Sequence, residues 1–149
     1  MTLLIILTII ALLSALFSLK ENGVFHKIIA FGFVFSILLS WFENKIVLLV
    51  GLCLIMLLGL LTGIYGLKEK GLSAIERIGI STMGFCFMLS VIFKIMHLPG
   101  AWFMKLIMIV PVAIYLIGLF VNKKAITKEM SFMITWIFLV VVEIISFVG

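Results

Sequence analysis

Charged side chains within apolar segments are the residues of this sequence that could do chemistry, because a charge in lipid is costly and usually functional. Glu143 is the only acid well inside such a segment, and it lies six residues before the end of the sequence. Lys94 and Lys105 flank a short turn that contains His97. We expect Glu143 to pair with Lys94 or Lys105 at one membrane face, in a polar cluster that includes the histidine. The alternative is that both lysines extend to lipid headgroups while the glutamate reaches interfacial water.

Other catalytic chemistry has little support in the residue types. The sequence contains no GxSxG, HExxH or P-loop motif. Cys53 and Cys86 lie mid-way along apolar segments without CxxC spacing, which is typical of small buried side chains. We expect His26 and His97 at opposite membrane faces, so they cannot bind one haem together. We therefore predict no enzymatic activity, no catalytic residue, no metal site and no cofactor, with a membrane enzyme using one Glu and one His as a remote alternative.

Hydroxyl groups are the main polar groups in the middle of the apolar segments. Each of them can form a hydrogen bond within its own helix or with a neighbouring helix. Proton- or sodium-driven pumps normally need a buried carboxylate or an unwound polar site, so this composition argues against a pump. The residues are Thr62, Ser81, Thr82, Ser90 and Tyr115.

The elements that position these residues are long apolar helices. Of 149 residues, 66% are hydrophobic and 11% are charged, whereas soluble domains carry about 25% charged residues. A span needs about 20 residues, and the alternation of barrel strands is absent. We predict an all-α, polytopic integral membrane protein whose partner is the lipid bilayer. Its six transmembrane helices are Thr2–Leu19, Val24–Phe42, Ile46–Leu67, Ile78–Met96, Ala101–Val121 and Met130–Val148.

Short connections predict one transmembrane domain over residues 1–149. The longest, Lys68–Arg77, has ten residues and contains a capping box, Ser73-Ala74-Ile75-Glu76, before the fourth helix. Asn44 can cap the third helix.

Gly59 and Gly63 form a GxxxG motif, which favours close helix packing within the subunit or, alternatively, with a partner helix. Pro111 predicts a kink in the fifth helix; a binding site at a broken helix is the alternative.

The distribution of Lys and Arg predicts the orientation. The positive-inside rule places the connections that are richer in basic residues in the cytoplasm. We therefore expect a bacterial inner-membrane protein with both termini and the His97 turn in the periplasm. The net charge of +5 fits headgroup contacts rather than nucleic-acid binding. The first, third and fifth connections contain eight basic residues, Lys20, Lys27, Lys68, Lys70, Arg77, Lys123, Lys124 and Lys128, against Lys45, Lys94 and Lys105 in the others.

A weak internal similarity relates the two halves of the chain, residues 1–67 and 73–149. Leu13-Ser14-Ala15-Leu16-Phe17 is similar to Leu89-Ser90-Val91-Ile92-Phe93, and Phe42-Glu43-Asn44-Lys45 to Phe120-Val121-Asn122-Lys123. Three helices per half predict an inverted 3+3 repeat, as in many transporters. The alternative is chance similarity between helices rich in Leu and Phe.

The turn between the fourth and fifth helices reads Phe93-Lys94-Ile95-Met96-His97-Leu98-Pro99-Gly100-Ala101. It resembles the helix–loop–helix signature of GldL, the membrane subunit of the gliding-motility and type IX secretion motor of Bacteroidota, with Leu98 where that family usually has Trp. The resemblance covers the fourth and fifth helices and implies a Bacteroidota source and a periplasmic turn. That family places a glutamate in the helix after the turn. Because this chain has Pro111-Val112-Ala113 there, the resemblance does not extend to a proton-driven motor.

The function predicted from these features is that of a small, non-catalytic inner-membrane protein. It would act as an accessory or structural subunit of a larger membrane complex, with homo-oligomerisation left open. The resemblance to GldL implies that this complex is related to secretion or motility. The alternative is a small transporter or channel protomer built on the inverted repeat. The N-terminus has no basic region before its apolar run, so we expect a structural helix there rather than a cleaved signal peptide.

Overall fold

The protein is all-α in its computed structural model, which describes residues 2–18, 20, 23–42, 44–121 and 129–148. Apolar runs of 17 to 24 residues form most of the helices. Seven helices occur in the described residues: α1 (Thr2–Ser18), α2 (Val24–Ser40), α3 (Lys45–Lys68), α4 (Ala74–Ile95), α5 (Ala101–Ile107), α6 (Ile109–Val121) and α7 (Met130–Val148).

Within the described part of the chain, three helical stretches are long and apolar enough to cross a membrane. They are Lys45–Lys68, Ala74–Ile95 and Trp102–Val121, the last of which combines most of α5 with α6. The apolar stretches of the other helices are shorter within the described residues: Ile5–Ser18, Val24–Leu39 and Phe132–Ile145. By length and composition these three stretches could span a membrane, which is consistent with a membrane protein.

Local capping explains where two of the long helices begin. Asn44 Oδ1 accepts a hydrogen bond from the Ile46 amide at 2.9 Å, which confirms the predicted cap of α3. At α4, Ser73 and Glu76 form the predicted capping box. The box is itself the first turn of the helix, so α4 begins at Ala74 rather than at the predicted Ile78. Four residues that we expected in a connection are therefore helical.

The predicted fifth span is interrupted at Met108, between α5 and α6. Proline has no amide hydrogen, and its ring crowds the carbonyl four residues earlier. For Pro111 that carbonyl belongs to Ile107, the last residue of α5. The interruption thus lies at the peptide group that the proline leaves without its helical hydrogen bond.

The chain divides into two compact units. The first contains Met1–Ile55 and Lys128–Gly149, and the second contains Met56–Thr127, so α3 contributes to both. The boundaries differ from the halves 1–67 and 73–149 of the proposed repeat, which stays a prediction. In the first unit, α1 packs mainly against α7 and also against α2. Its core combines small residues of α1 with large side chains of the other helices: Ala11, Ala15, Ile29, Phe33, Phe132, Met133 and Trp136.

In the second unit, α4 is the central helix. It packs against α5 and α6, and its glycines and those of α3 lie close together. The larger buried side chains come from α4, from α6 and from the residue between α5 and α6. They are Ile80, Met83, Phe87, Met108 and Tyr115.

Candidate functional site

The C-terminal end of α4 closes in the turn that contains His97. The Leu98 amide donates to the Phe93 carbonyl at 3.0 Å, and the His97 amide donates to the Lys94 carbonyl at 3.4 Å. This pair of bonds forms a Schellman motif, which requires a left-handed residue after the helix. His97 occupies that position with φ 51°. The histidine is exposed and has a structural role through its backbone.

Gly100 begins the next helix from a backbone conformation that few other residues adopt. Its φ is 90°, and its carbonyl accepts hydrogen bonds from the amides of Phe103 and Met104. Trp102 and Phe103 are exposed and meet edge to face, with ring centroids 5.8 Å apart. Exposed aromatic rings at the start of a span are typical of the membrane–water interface. The backbone conformations of His97 and Gly100 therefore determine the shape of the turn, at the end of α4 and at the start of α5.

The charged residues of the predicted polar cluster lie in different units. In the second unit, Lys94 is exposed in the last turn of α4, where a cation favours the helix dipole. Lys105 is half-buried in α5. Glu143 is half-buried in α7, which belongs to the first unit. Its pairing with either lysine stays a prediction.

The N-terminal end of α4 contains a buried carboxylate. The Ser73 amide donates to Glu76 Oε2 at 2.9 Å, and the Glu76 amide donates to Ser73 Oγ at 3.3 Å. Only 1% of Glu76 is exposed. Gly118 of α6 packs against it: a Cβ added at Gly118 would lie 3.3 Å from Glu76 Cγ. The Ser-x-x-Glu spacing predicted the cap but gave no sign that another helix would cover it.

Arg77 and Ser81 lie next to this cap and line a cavity between α3 and α4. The cavity volume is about 280 Å³, and its lining also includes Leu67 and Phe85. Arg77 Nε and Ser81 Oγ are buried and have no hydrogen-bond partner among the described residues. Sequence reasoning counted the arginine as a loop residue and missed this site. The available signal was that Arg77 and Ser81 are four residues apart, on one face of a helix.

The GxxxG residues of α3 lie at a close crossing with α4. A Cβ at Gly59 would be 2.8 Å from the Gly84 carbonyl oxygen, and one at Gly63 would be 2.9 Å from the ring of Phe85. A Cβ at Gly84 would in turn collide with the backbone of Gly59 and Gly63. The two helices therefore meet backbone to backbone, as small residues allow in membrane helices.

On another face of α4, a glycine also packs directly against the backbone of a second helix, α6. A Cβ at Gly79 would lie 2.9 Å from both the backbone nitrogen and the Cα of Tyr115. Tyr115 is itself buried, as is Pro111 on α6. The second unit is thus held at two crossings where a glycine of α4 faces the backbone of another helix.

In the first unit, the contacts between helices are made by side chains. Thr135 Oγ1 of α7 donates to Ser14 Oγ of α1 at 3.0 Å. The rings of Phe33 and Trp136 meet edge to face, with centroids 4.7 Å apart. His26 is buried, with its ring centroid 5.5 Å from that of Phe132. This histidine is therefore part of an aromatic contact between α2 and α7.

Several hydroxyl groups form hydrogen bonds within their own helices. Thr62 Oγ1 donates to the Leu58 carbonyl, and Thr82 Oγ1 donates to the Ile78 carbonyl. Thr8 and Ser36 do the same with Ile5 and Gly32.

Metal-ligand clusters are absent from the part of the chain that the structure describes: no three His, Cys, Asp or Glu residues are grouped there. Both cysteines are free and half-buried.

Comparisons with known proteins gave no family assignment. No family model matches the chain, and neither curated proteins nor solved structures gave a match. The resemblance of the Phe93–Ala101 turn to GldL therefore stays a prediction, and function has to be inferred from the residues themselves.

Proposed function

We propose that this protein is a non-catalytic, membrane-embedded accessory subunit of a larger membrane protein complex. In this proposal the six apolar segments all span a bacterial inner membrane, and both termini lie in the periplasm. The excess of basic residues in the odd-numbered connections supports the orientation. The three helical stretches that are long enough to cross a membrane support the location.

The observation that carries this proposal is that hydroxyl groups in the helices form hydrogen bonds within the protein. Thr62 and Thr82, two of the polar residues expected mid-membrane, donate to carbonyls of their own helices. Thr135 donates to Ser14 of another helix in the same unit. A path for a polar solute needs polar groups that face the solute. These bonded hydroxyls favour a packing role instead; Ser81 Oγ, which is buried without a partner among the described residues, does not share this bonding.

The outward surface of the first part of α3 fits a role in association. Leu48, Leu49 and Val50 are consecutive and all exposed. Because consecutive helical residues point about 100° apart, this half of the helix presents apolar side chains over most of its circumference. Lipid or helices of partner subunits can cover such a surface.

The resemblance to GldL adds a narrower suggestion about the partner. It implies that the Phe93–Ala101 turn faces the periplasm, and that the complex serves secretion or gliding motility in a member of Bacteroidota. The described turn supports a structural hairpin at this place, because His97 and Gly100 fix its backbone.

Affinity purification from native membranes in mild detergent, followed by mass spectrometry, tests the proposal. We expect a large membrane protein to be recovered in a stoichiometric amount. Gly84→Ala, which disturbs the α3–α4 crossing, should reduce recovery of the partner. The matched control is Ser14→Ala, which removes only a side-chain hydrogen bond and should retain the partner. Recovery of a homodimer alone would contradict the proposal.

A small transporter or channel protomer is the second candidate, and the interruption at Met108 favours it. Broken helices bind substrates in many transporters. Here the backbone stays right-handed at Met108, and Pro111 cannot donate a hydrogen bond to the Ile107 carbonyl within one apolar stretch. This candidate predicts a homodimer whose melting temperature rises with a specific solute. Stabilisation of that kind, without any partner protein, would replace the first proposal with the second.

A further inference from the structure

The stretch formed by α5 and α6 has one buried side and one exposed side. Pro111, Tyr115 and Gly118 are buried, and the last two lie against α4. On a helix with 3.6 residues per turn, a set of exposed side chains falls with Trp102 within an arc of about 120° on the opposite side. We call this set the outer stripe: Leu106, Ile109, Val110, Leu116, Ile117 and Phe120.

The composition of the outer stripe fits lipid better than a closely packed partner helix. Its members are large apolar side chains, between 40% and 81% exposed. Membrane helices that pack against each other meet through small residues. Among the described residues on this side, Ala113 alone is small. The glycines of this region, Gly79 and Gly118, already lie at the contact between α4 and α6.

The length of the stretch places its first aromatic residues at a membrane boundary. Trp102–Val121 contains 20 residues, so it extends about 30 Å along the helix axis, which is the thickness of the hydrocarbon core. Trp102 and Phe103 are 53% and 54% exposed. Tryptophan combines an apolar ring with an N–H donor, which suits the interface between acyl chains and headgroups. Lys94 is exposed at the same end of the second unit, across a short turn.

We infer that the outer stripe contacts lipid acyl chains, and that Trp102 and Phe103 lie in the headgroup region and set the depth of α5 and α6 in the bilayer. The inference rests on the membrane location in the proposed function, but not on a partner complex. It narrows the proposed function, because it leaves other surfaces, such as the first part of α3, for partner subunits.

Quenching of tryptophan fluorescence by brominated lipids tests the inference. The purified protein is reconstituted into phosphatidylcholine vesicles with bromine on the upper part of the acyl chains, or on the lower part. The emission of Trp102 is the difference between the parent chain and Trp102→Phe, which keeps an aromatic ring. We expect the upper bromine to quench this emission more than the lower bromine does. Stronger quenching by the lower bromine, or by iodide in the water, would overturn the inference.

A second tryptophan position tests the stripe itself. Val110 is 56% exposed and follows Trp102 by eight residues, so it lies about 12 Å further along the helix. With Val110→Trp added to Trp102→Phe, the lower bromine should quench the new emission more than the upper bromine. The same preference at both positions would overturn the inference. Protection of Val110→Trp from both lipids would mean that protein covers the stripe, which overturns the inference but leaves the subunit proposal standing.

Discussion

The α3–α4 crossing in the second unit and the α1–α7 crossing in the first are held together by different means. At α3–α4, Gly84 lies against the backbone of Gly59 and Gly63. At α1–α7, Thr135 and Ser14 form a hydrogen bond between side chains. At Gly84 the first crossing is a contact between backbone atoms, which cannot rotate away, whereas the second has rotatable groups on both helices.

This difference predicts how well each interface should tolerate substitutions. A well-packed contact between backbones cannot relax without separating the helices, so an added methyl group acts on the whole crossing. A side-chain hydrogen bond between membrane helices contributes little, because its partners find other acceptors when it is lost. We therefore expect substitutions in the second unit to have much larger effects than those in the first.

Gly84→Ala should have the largest effect. Its methyl group would collide with backbone atoms of both Gly59 and Gly63, and we expect a loss of about 3 kcal/mol in the free energy of unfolding. Thermal unfolding in mild detergent measures it. Gly71→Ala is the control, because a Cβ there meets only Glu69 Oε1 at 3.4 Å. Equal melting temperatures for the two variants would refute the backbone contact.

Gly79→Ala tests the second glycine crossing, between α4 and α6. The methyl group would lie 2.9 Å from the backbone of Tyr115. We expect a loss of about 2 kcal/mol, smaller than for Gly84 because the new group meets one residue rather than two. Chemical unfolding monitored by circular dichroism would show the ranking. A variant as stable as the parent chain would mean that α6 can move away freely.

His97→Gly isolates backbone conformation from packing. The residue is exposed with φ 51°, and glycine adopts this conformation without the steric penalty of a Cβ. We expect a gain of about 1 kcal/mol for glycine and a similar loss for His97→Val. Both variants are compared with the parent by thermal unfolding. Unchanged stability in both would show that the turn is not fixed by His97.

The Ser14–Thr135 hydrogen bond should show the smallest effect. A double-mutant cycle with Ser14→Ala and Thr135→Val should give a coupling energy of about 0.6 kcal/mol. The same unfolding assay applies to all four proteins of the cycle. A coupling energy as large as the loss for Gly84→Ala would remove the contrast between the two crossings.

Sequence patterns predicted the local structure better than the contacts between helices. Asn44 and the Ser73–Glu76 box cap the helices as expected, because capping depends on residues only a few positions apart. The GxxxG motif marked Gly59 and Gly63 as a close-packing surface. It could not identify Gly84 as their counterpart, since that pairing depends on the relative position of two helices.

In the candidate site, too, the sequence could not predict contacts that depend on how two helices pack. Lys94, His97 and Lys105 stood out because polar residues are rare in this chain. His97 proves to have a backbone role, which φ reveals and residue type does not. Arg77 was counted with a connection because α4 was expected to begin one residue later, at Ile78. Its cavity is formed by side chains of two helices, so no single stretch of sequence contained it.

Native gel electrophoresis of membranes from the organism that makes the protein tests the central proposal most directly. The parent chain should migrate in one discrete complex much larger than a homodimer. The Gly84→Ala variant should be missing from that complex, whereas the Ser14→Ala variant should still migrate with it. Only Gly84→Ala disturbs a crossing where two helices meet through backbone atoms. Migration of the parent chain as a monomer or homodimer alone would contradict the account.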